Sequence, residues 1–128
     1  MGQSQLLIIA ISVLIIGIAI LAGAGSCQSN DVEANKKAMI DDIHHIATNA
    51  IRYYKRIPAL GGGGNKYDGF VLPIGYQSNL NGRYSTTVKS SQVLEITGMS
   101  GLDSTDTMVA DIDTYGKASN WTFTGDFQ

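Results

Sequence analysis

Before Asp31 the chain carries no charged side chain; its nine Lys and Arg and its eleven Asp and Glu all lie from Asp31 onward. That absence excludes a secretory signal of ordinary form, which opens on a basic region. Met-Gly-Gln-Ser-Gln holds neither Lys nor Arg, and no Ala-x-Ala exit closes the run behind it. The same absence removes the basic flank that orients a simple single-span anchor. Cysteine occurs once, at Cys27, which excludes an internal disulfide and leaves only an intermolecular one. No basic surplus exists: the formal net charge is -2, which argues against a nucleic-acid partner. Gly61 to Gly64 lack the following Lys-Ser/Thr of a phosphate loop. No Ser-His-Asp arrangement is legible. The sequence therefore reads as a protein that is not an enzyme and uses no cofactor.

What the first stretch does contain is apolar. Leu6 to Ala24 is interrupted only by Ser12 and by Gly17 and Gly23. About 19 residues at ~1.5 Å rise span roughly the hydrocarbon core of a bilayer. Gly17, Gly23 and Gly25 weaken the helix, each costing ~1 kcal/mol against Ala, and mark either close helix packing or a segment able to unwind. Ala24-Gly25-Ser26 places small residues before Cys27, so a lipidated Cys27 is an alternative reading; the usual Leu three residues before that Cys is missing.

From Asp31 the pattern changes. Asp31 and Glu33 suit a helix N-terminus, with Ser29 or Asn30 able to cap. Met39, Ile40, Ile43, Ile46, Ala47, Ala50, Ile51, Tyr54 and Ile57 recur at three- and four-residue spacing, the mark of an amphipathic helix. Arg52, Lys55 and Arg56 match its C-terminal dipole, and Pro58 closes it. The glycine run then reads as a loop. Phe70, Leu72 and Ile74 share one face of a candidate strand, with Pro73 at an edge or end. Asn81-Gly82 favours a type I′ turn. Strands follow over 84–89, 92–97, 107–115 and 118–127, the last placing Trp121, Phe123 and Phe127 on one face. The expected fold class is α+β: a long N-terminal helix, apolar then amphipathic, packed on a small antiparallel sheet of about four strands. The expected organisation is 1–27 as an apolar, membrane-competent helix, 28–58 as the amphipathic helix and 59–128 as a β-sheet domain.

Candidate sites are few. His44 and His45 are adjacent, hence about 100° apart on a helix and poorly placed to ligate one metal. Asp41 and Asp42 read as a solvated helix face. Asp103, Asp106, Asp111 and Asp113 are the nearest to a cation set, since oxygen-rich loops hold Ca²⁺; the competing reading is a solvated acidic edge. Asn120-Trp121-Thr122 matches the glycosylation sequon.

The uncharged start, the apolar helix, its amphipathic continuation and the glycine-linked sheet together resemble type IV pilins and the related pseudopilins. In residues the resemblance runs from Met1 to about Pro58, with Gln3-Ser4-Gln5-Leu6-Leu7-Ile8-Ile9 matching the family's start. It implies a short leader removed by a prepilin peptidase and methylation of the new first residue, here Met1. A second register takes Gly2 as the last leader residue and Gln3 as the mature start. The family's Glu at the fifth position is Gln5 here; that Glu pairs with a neighbour's terminal amine, whereas Gln5 accepts a hydrogen bond without cancelling the charge. The family's helix-breaking Pro near position twenty-two is also absent, and Gly17 or Gly23 to Gly25 would supply the melted stretch. The resemblance implies a filament subunit at the cell surface, with a membrane-embedded pool before assembly. Its implied partners are copies of itself, the inner membrane, the peptidase and an assembly machinery. The alternative is a membrane-anchored or lipidated surface-binding domain.

Overall fold

The computed structural model describes residues 2–128, and the side chains of 3–13 and 31–128. The chain is α+β. Helix α1 (Gly2–Lys55) precedes a short helix α2 (Ile74–Gln77) and four strands: β1 (Gly82–Ser90), β2 (Val93–Ser100), β3 (Thr107–Ile112) and β4 (Ala118–Phe123). The strands form one antiparallel meander in the order β1-β2-β3-β4. Two units divide the chain, Met1–Glu33 and Ala34–Gln128.

In the first unit side chains 3–13 are exposed, and Ser12 Oγ donates to the Ile8 carbonyl at 2.8 Å. The expected apolar span lies, from residue 14 onward, outside the described side chains. Among the described residues no helix is long and apolar enough to cross a membrane.

In the second unit the core follows from two periodicities. Met39, Ile43, Ile46, Ala47, Ala50 and Tyr54 recur at helical spacing and are buried. On the sheet, alternation brings Leu94, Ile96 and Gly98 of β2 opposite Ile112, Ala110 and Met108 of β3, and all six are buried. Tyr84 pairs with Gly98, where an added Cβ would lie 3.0 Å from Met39 Cε and 3.2 Å from the Tyr84 ring. Glycine at 98 therefore lets the Met39 side chain of α1 and the Tyr84 ring share one spot on the sheet. Ile40 and Ile51, expected in the stripe, are only half-buried, and Ile57 is exposed.

Both edge strands are bulged. Val88 pairs with Leu94 and Ser90 with Val93, so β1 carries an extra residue at Lys89. Val109 pairs with Thr122 and Asp111 with Ser119, so β4 carries another, beside Asn120 at φ 52°. On the outer face Lys89 Nζ contacts Glu95 at 3.6 Å and Asp111 at 3.1 Å, and Asn120 Nδ2 donates to Asp111 at 3.1 Å.

Three sequence expectations are corrected. The 70–74 segment is not a strand: Phe70 and Leu72 are buried anchors of an irregular segment, Ile74 is exposed and opens α2, and Pro73 precedes it. The Asn79–Gly82 turn is not type I′, because neither Asn81 nor Gly82 has positive φ. Instead Asn79 Oδ1 accepts from the amides of Asn81 and Gly82, closing the loop with its own side chain. The last strand ends at Phe123, and Phe127 reaches the core from a 3-10 turn, Gly125–Phe127.

The glycine run has a defined role. The amides of Gly63 and Asn65 donate to the carbonyls of Tyr53 and Tyr54 at 2.9 and 2.7 Å, filling acceptors that the end of α1 leaves open. An added Cβ would lie 2.1 Å from the Arg56 carbonyl at Gly62, and 1.8 Å from the Lys66 carbonyl at Gly63. The backbone approaches too closely there for any side chain.

Candidate functional site

Residues 6–13 of α1 form an unusual surface. Leu6, Leu7, Ile8 and Ile9 are 60–68% exposed, and Ile11 and Val13 are exposed too. Four successive residues at 100° steps point in every direction around a helix. The surface is therefore apolar all round, not on one stripe, and the described part of it carries no charge. Burying these six side chains would contribute on the order of 10 kcal/mol. Gln5 lies exposed beside Leu6, an uncharged amide at the polar start of this surface. Met1, Gly17, Gly23, Gly25 and Cys27 lie outside the residues whose side chains are described.

The head contains one concentrated polar node. Asp42 sits on the edge of the buried stripe of α1, and its Oδ2 accepts from the Tyr84 hydroxyl at 2.5 Å and from Asn79 and Asn81 Nδ2 at 2.9 Å each. Burial pushes the Asp42 carboxyl up, but the bonds from Tyr84, Asn81 and Asn79, with the nearby His45, outweigh it and hold the group below its ordinary value. Burial and the Asp42 carboxylate push the Tyr84 hydroxyl well above the ordinary phenol range. Deeper still, Asn35 donates to the Asn81 carbonyl at 2.9 Å and accepts from Ser100 Oγ at 2.6 Å. Asn35 and Asp42 thus tie the turn before β1 to α1 from both sides. The cavity of about 200 Å³ beside them is lined by Asp42, His45, Tyr76, Asn79 and Tyr84 among others. Its acid already has its donors, so its chemistry is structural.

The candidate acids separate. Asp103 and Asp106 come together with Asp126, their carboxylate oxygens all within 4.8 Å. Asp111 instead serves Lys89 and Asn120, and Asp113 Oδ1 accepts from the amides of Tyr115 and Lys117. Two of the three carboxylates have local work, and Asp126 joins through its backbone amide. Asp106 Oδ1 accepts from the Asp126 amide at 2.7 Å. Asp103 takes the Thr105 amide and hydroxyl, which hold its carboxyl below the usual range. These are bonds of turns, and the trio reads as an acidic edge. Asp126 escaped the sequence reading because 118–127 looked like one strand with Asp126 as an ordinary polar position, whereas the Gly125–Phe127 turn brings its amide onto the Asp106 carboxylate.

His44 and His45 both lie exposed; His44 meets the Trp121 ring edge-on at 5.9 Å between centroids, as a boundary residue does. Asn120 is exposed on the β4 bulge. Comparison with protein-family models, curated proteins and solved structures returned no match.

Proposed function

We propose that this chain is a structural subunit that polymerises through its N-terminal helix into an extracellular filament similar to a type IV pilus. The observation that carries the reading is the surface at Leu6–Val13. It is apolar on every side and exposed in a single chain, whereas the head buries its own core. A helix that is apolar all round needs an apolar environment all round, which lipid supplies before assembly and neighbouring helices supply after it. In this reading Leu6 to Ala24 is one apolar helix continuous with the amphipathic one. It waits in the inner membrane after a prepilin peptidase has acted. An assembly machinery then moves it into a bundle of identical helices, with the α+β heads outside at the cell surface. Head-to-tail contacts that do not close give an open filament. The chain works by position and not by chemistry.

Negative-stain microscopy of sheared surface material tests the reading, combined with mass spectrometry of the mature terminus. Thin filaments containing the chain, with a methylated terminal amine, are the expected result. A diacylated Cys27 as first residue would replace the filament with a lipid-anchored surface domain. Unprocessed chain confined to the membrane fraction would favour a plain anchor.

A further inference from the structure

The C-terminal turn of α1 faces a groove of about 320 Å³ whose lining includes Arg52, Tyr53, Arg56, Phe70 and Val71. Arg52 and Arg56 are four residues apart, hence on one helix face. Both are exposed, and neither pairs with a carboxylate among the described residues. The walls are mixed: Asn49 and the arginines supply polar surface, while the Tyr53 and Phe70 rings meet edge-on at 5.4 Å and Val71 is 77% exposed. Guanidinium groups beside aromatic and aliphatic walls suit a carboxylate, held in paired hydrogen bonds and partly shielded from water. Lys55 and Lys66 add charge at the same end, where Asp68 is the local acid. Four of the nine cations gather here, leaving five against ten acids over the rest of the chain. The molecule is electrically lopsided, and any copy offers a net acidic surface to the basic groove of another.

We propose that this groove is a docking site for a second copy of the chain, which enters it through the carboxylates of Asp103 and Asp126. Both of those residues are exposed. On that end Lys36 donates to the Phe127 carbonyl at 2.9 Å and lies 4.3 Å above the Phe123 ring centroid, and neither it nor Arg83 forms an ion pair with Asp103 or Asp126 among the described residues. The acids sit beside the Asn35–Lys36 turn of α1 and the arginines some seventeen to twenty residues further on, roughly 25 Å along the helix axis. Copies stacked along that axis bring opposite charges together, and the contact repeats without closing. The inference rests on the filament reading and adds a head-to-tail contact between neighbouring β-sheet domains that sets its axial register.

The test mixes isotope-labelled and unlabelled full-length chain, allows assembly, and treats the product with a carbodiimide, which joins carboxylates to nearby lysine amines as amides. Mixed-label crosslinks from Lys55 or Lys66 to Asp103 or Asp126 are expected. The variant Arg52→Glu/Arg56→Glu should reduce them roughly tenfold, and adding Asp103→Lys/Asp126→Lys should restore filament yield. Filaments lacking these crosslinks, with unchanged yield in the arginine variant, would overturn the docking site and leave the filament reading standing. Where no filament forms, the filament reading fails. Detergent-solubilised chain then decides the groove alone, and absence of mixed-label crosslinks there overturns it. Flotation with anionic phosphatidylglycerol vesicles that is lost in the arginine variant, without crosslinks, would also overturn it, in favour of a lipid headgroup.

Discussion

Asp42 is a single carboxylate holding two donors from the turn and a third from β1, so removing it should loosen the joint between α1 and the start of β1. Hydrogen bonds to a charged acceptor contribute about 1.5–3 kcal/mol each, and Asp42 accepts three on one oxygen. The group keeps contact with water, which screens its charge, so the discounted cost of Asp42→Ala is about 3 kcal/mol. Asp42→Asn keeps the shape and an acceptor but not the charge, and should cost about half of that, roughly 1.5 kcal/mol. The folded-state value of Asp42 is depressed below 3.8. Its contribution is therefore complete above that value and is lost as pH falls through the folded value. The gap between wild type and Asp42→Asn should close below about pH 4. Trp121 is the chain's one tryptophan and sits on β4, so urea unfolding of the full-length chain in detergent, followed by its fluorescence, reads the head directly. Adding Tyr84→Phe to each variant completes a cycle whose coupling should exceed about 1 kcal/mol. An Asp42→Ala midpoint equal to wild type, or a coupling near zero, would refute the assignment of Asp42 as the tie.

Gly63→Ala should cost more than about 3 kcal/mol, since the new Cβ would fall 1.8 Å from the Lys66 carbonyl; denaturant midpoints check this, with the exposed Gly75→Ala as a control. Asn35→Ala leaves the Ser100 hydroxyl without its buried acceptor and the Asn81 carbonyl with only the Gly101 amide, and should cost about 2 kcal/mol in the same assay. Burial, with the Asp113 charge and Tyr54 adding to it, pushes the Tyr67 hydroxyl up from 10.0 to about 12. Its neutral form therefore stabilises the fold fully below pH 10, and that contribution disappears as pH rises towards about 12. Tyr67→Phe should lose about 1 kcal/mol at neutral pH and show a shallower alkaline decline, measured by unfolding across pH.

The parts of the head that obey a simple period are legible in its residues. Met39, Ile43, Ile46, Ala50 and Tyr54 follow one helical stripe, and Leu94, Ile96, Met108, Ala110 and Ile112 follow strand alternation, so both partners of the core declare themselves. Asn35 lies on the same stripe but is polar, and its burial depends on Ser100, 65 residues away. Phe70 and Leu72 alternate as a strand would, yet the cause is two anchors on an irregular segment; an i, i+2 pair alone does not separate these cases. The glycine run reads as a loose loop because its order comes from tertiary amide bonds to the end of α1, which no local pattern encodes. The Asp103–Asp106–Asp126 grouping likewise depends on where β4 stops, and strand ends are set by packing more than by composition.

The extra residues in β1 and β4 bear on how such heads can crowd together. A sheet whose outermost strands are regular invites strand-by-strand growth, because its unpaired amides and carbonyls template a neighbour. Here the margin at Lys89 places a cation in the rim, and the margin at Asn120 turns the backbone left-handed in mid-strand. Both interruptions break the even spacing a visiting strand would need. Contacts between neighbouring heads are thereby directed to side-chain surfaces, and strand-by-strand growth is disfavoured at both edges of the sheet.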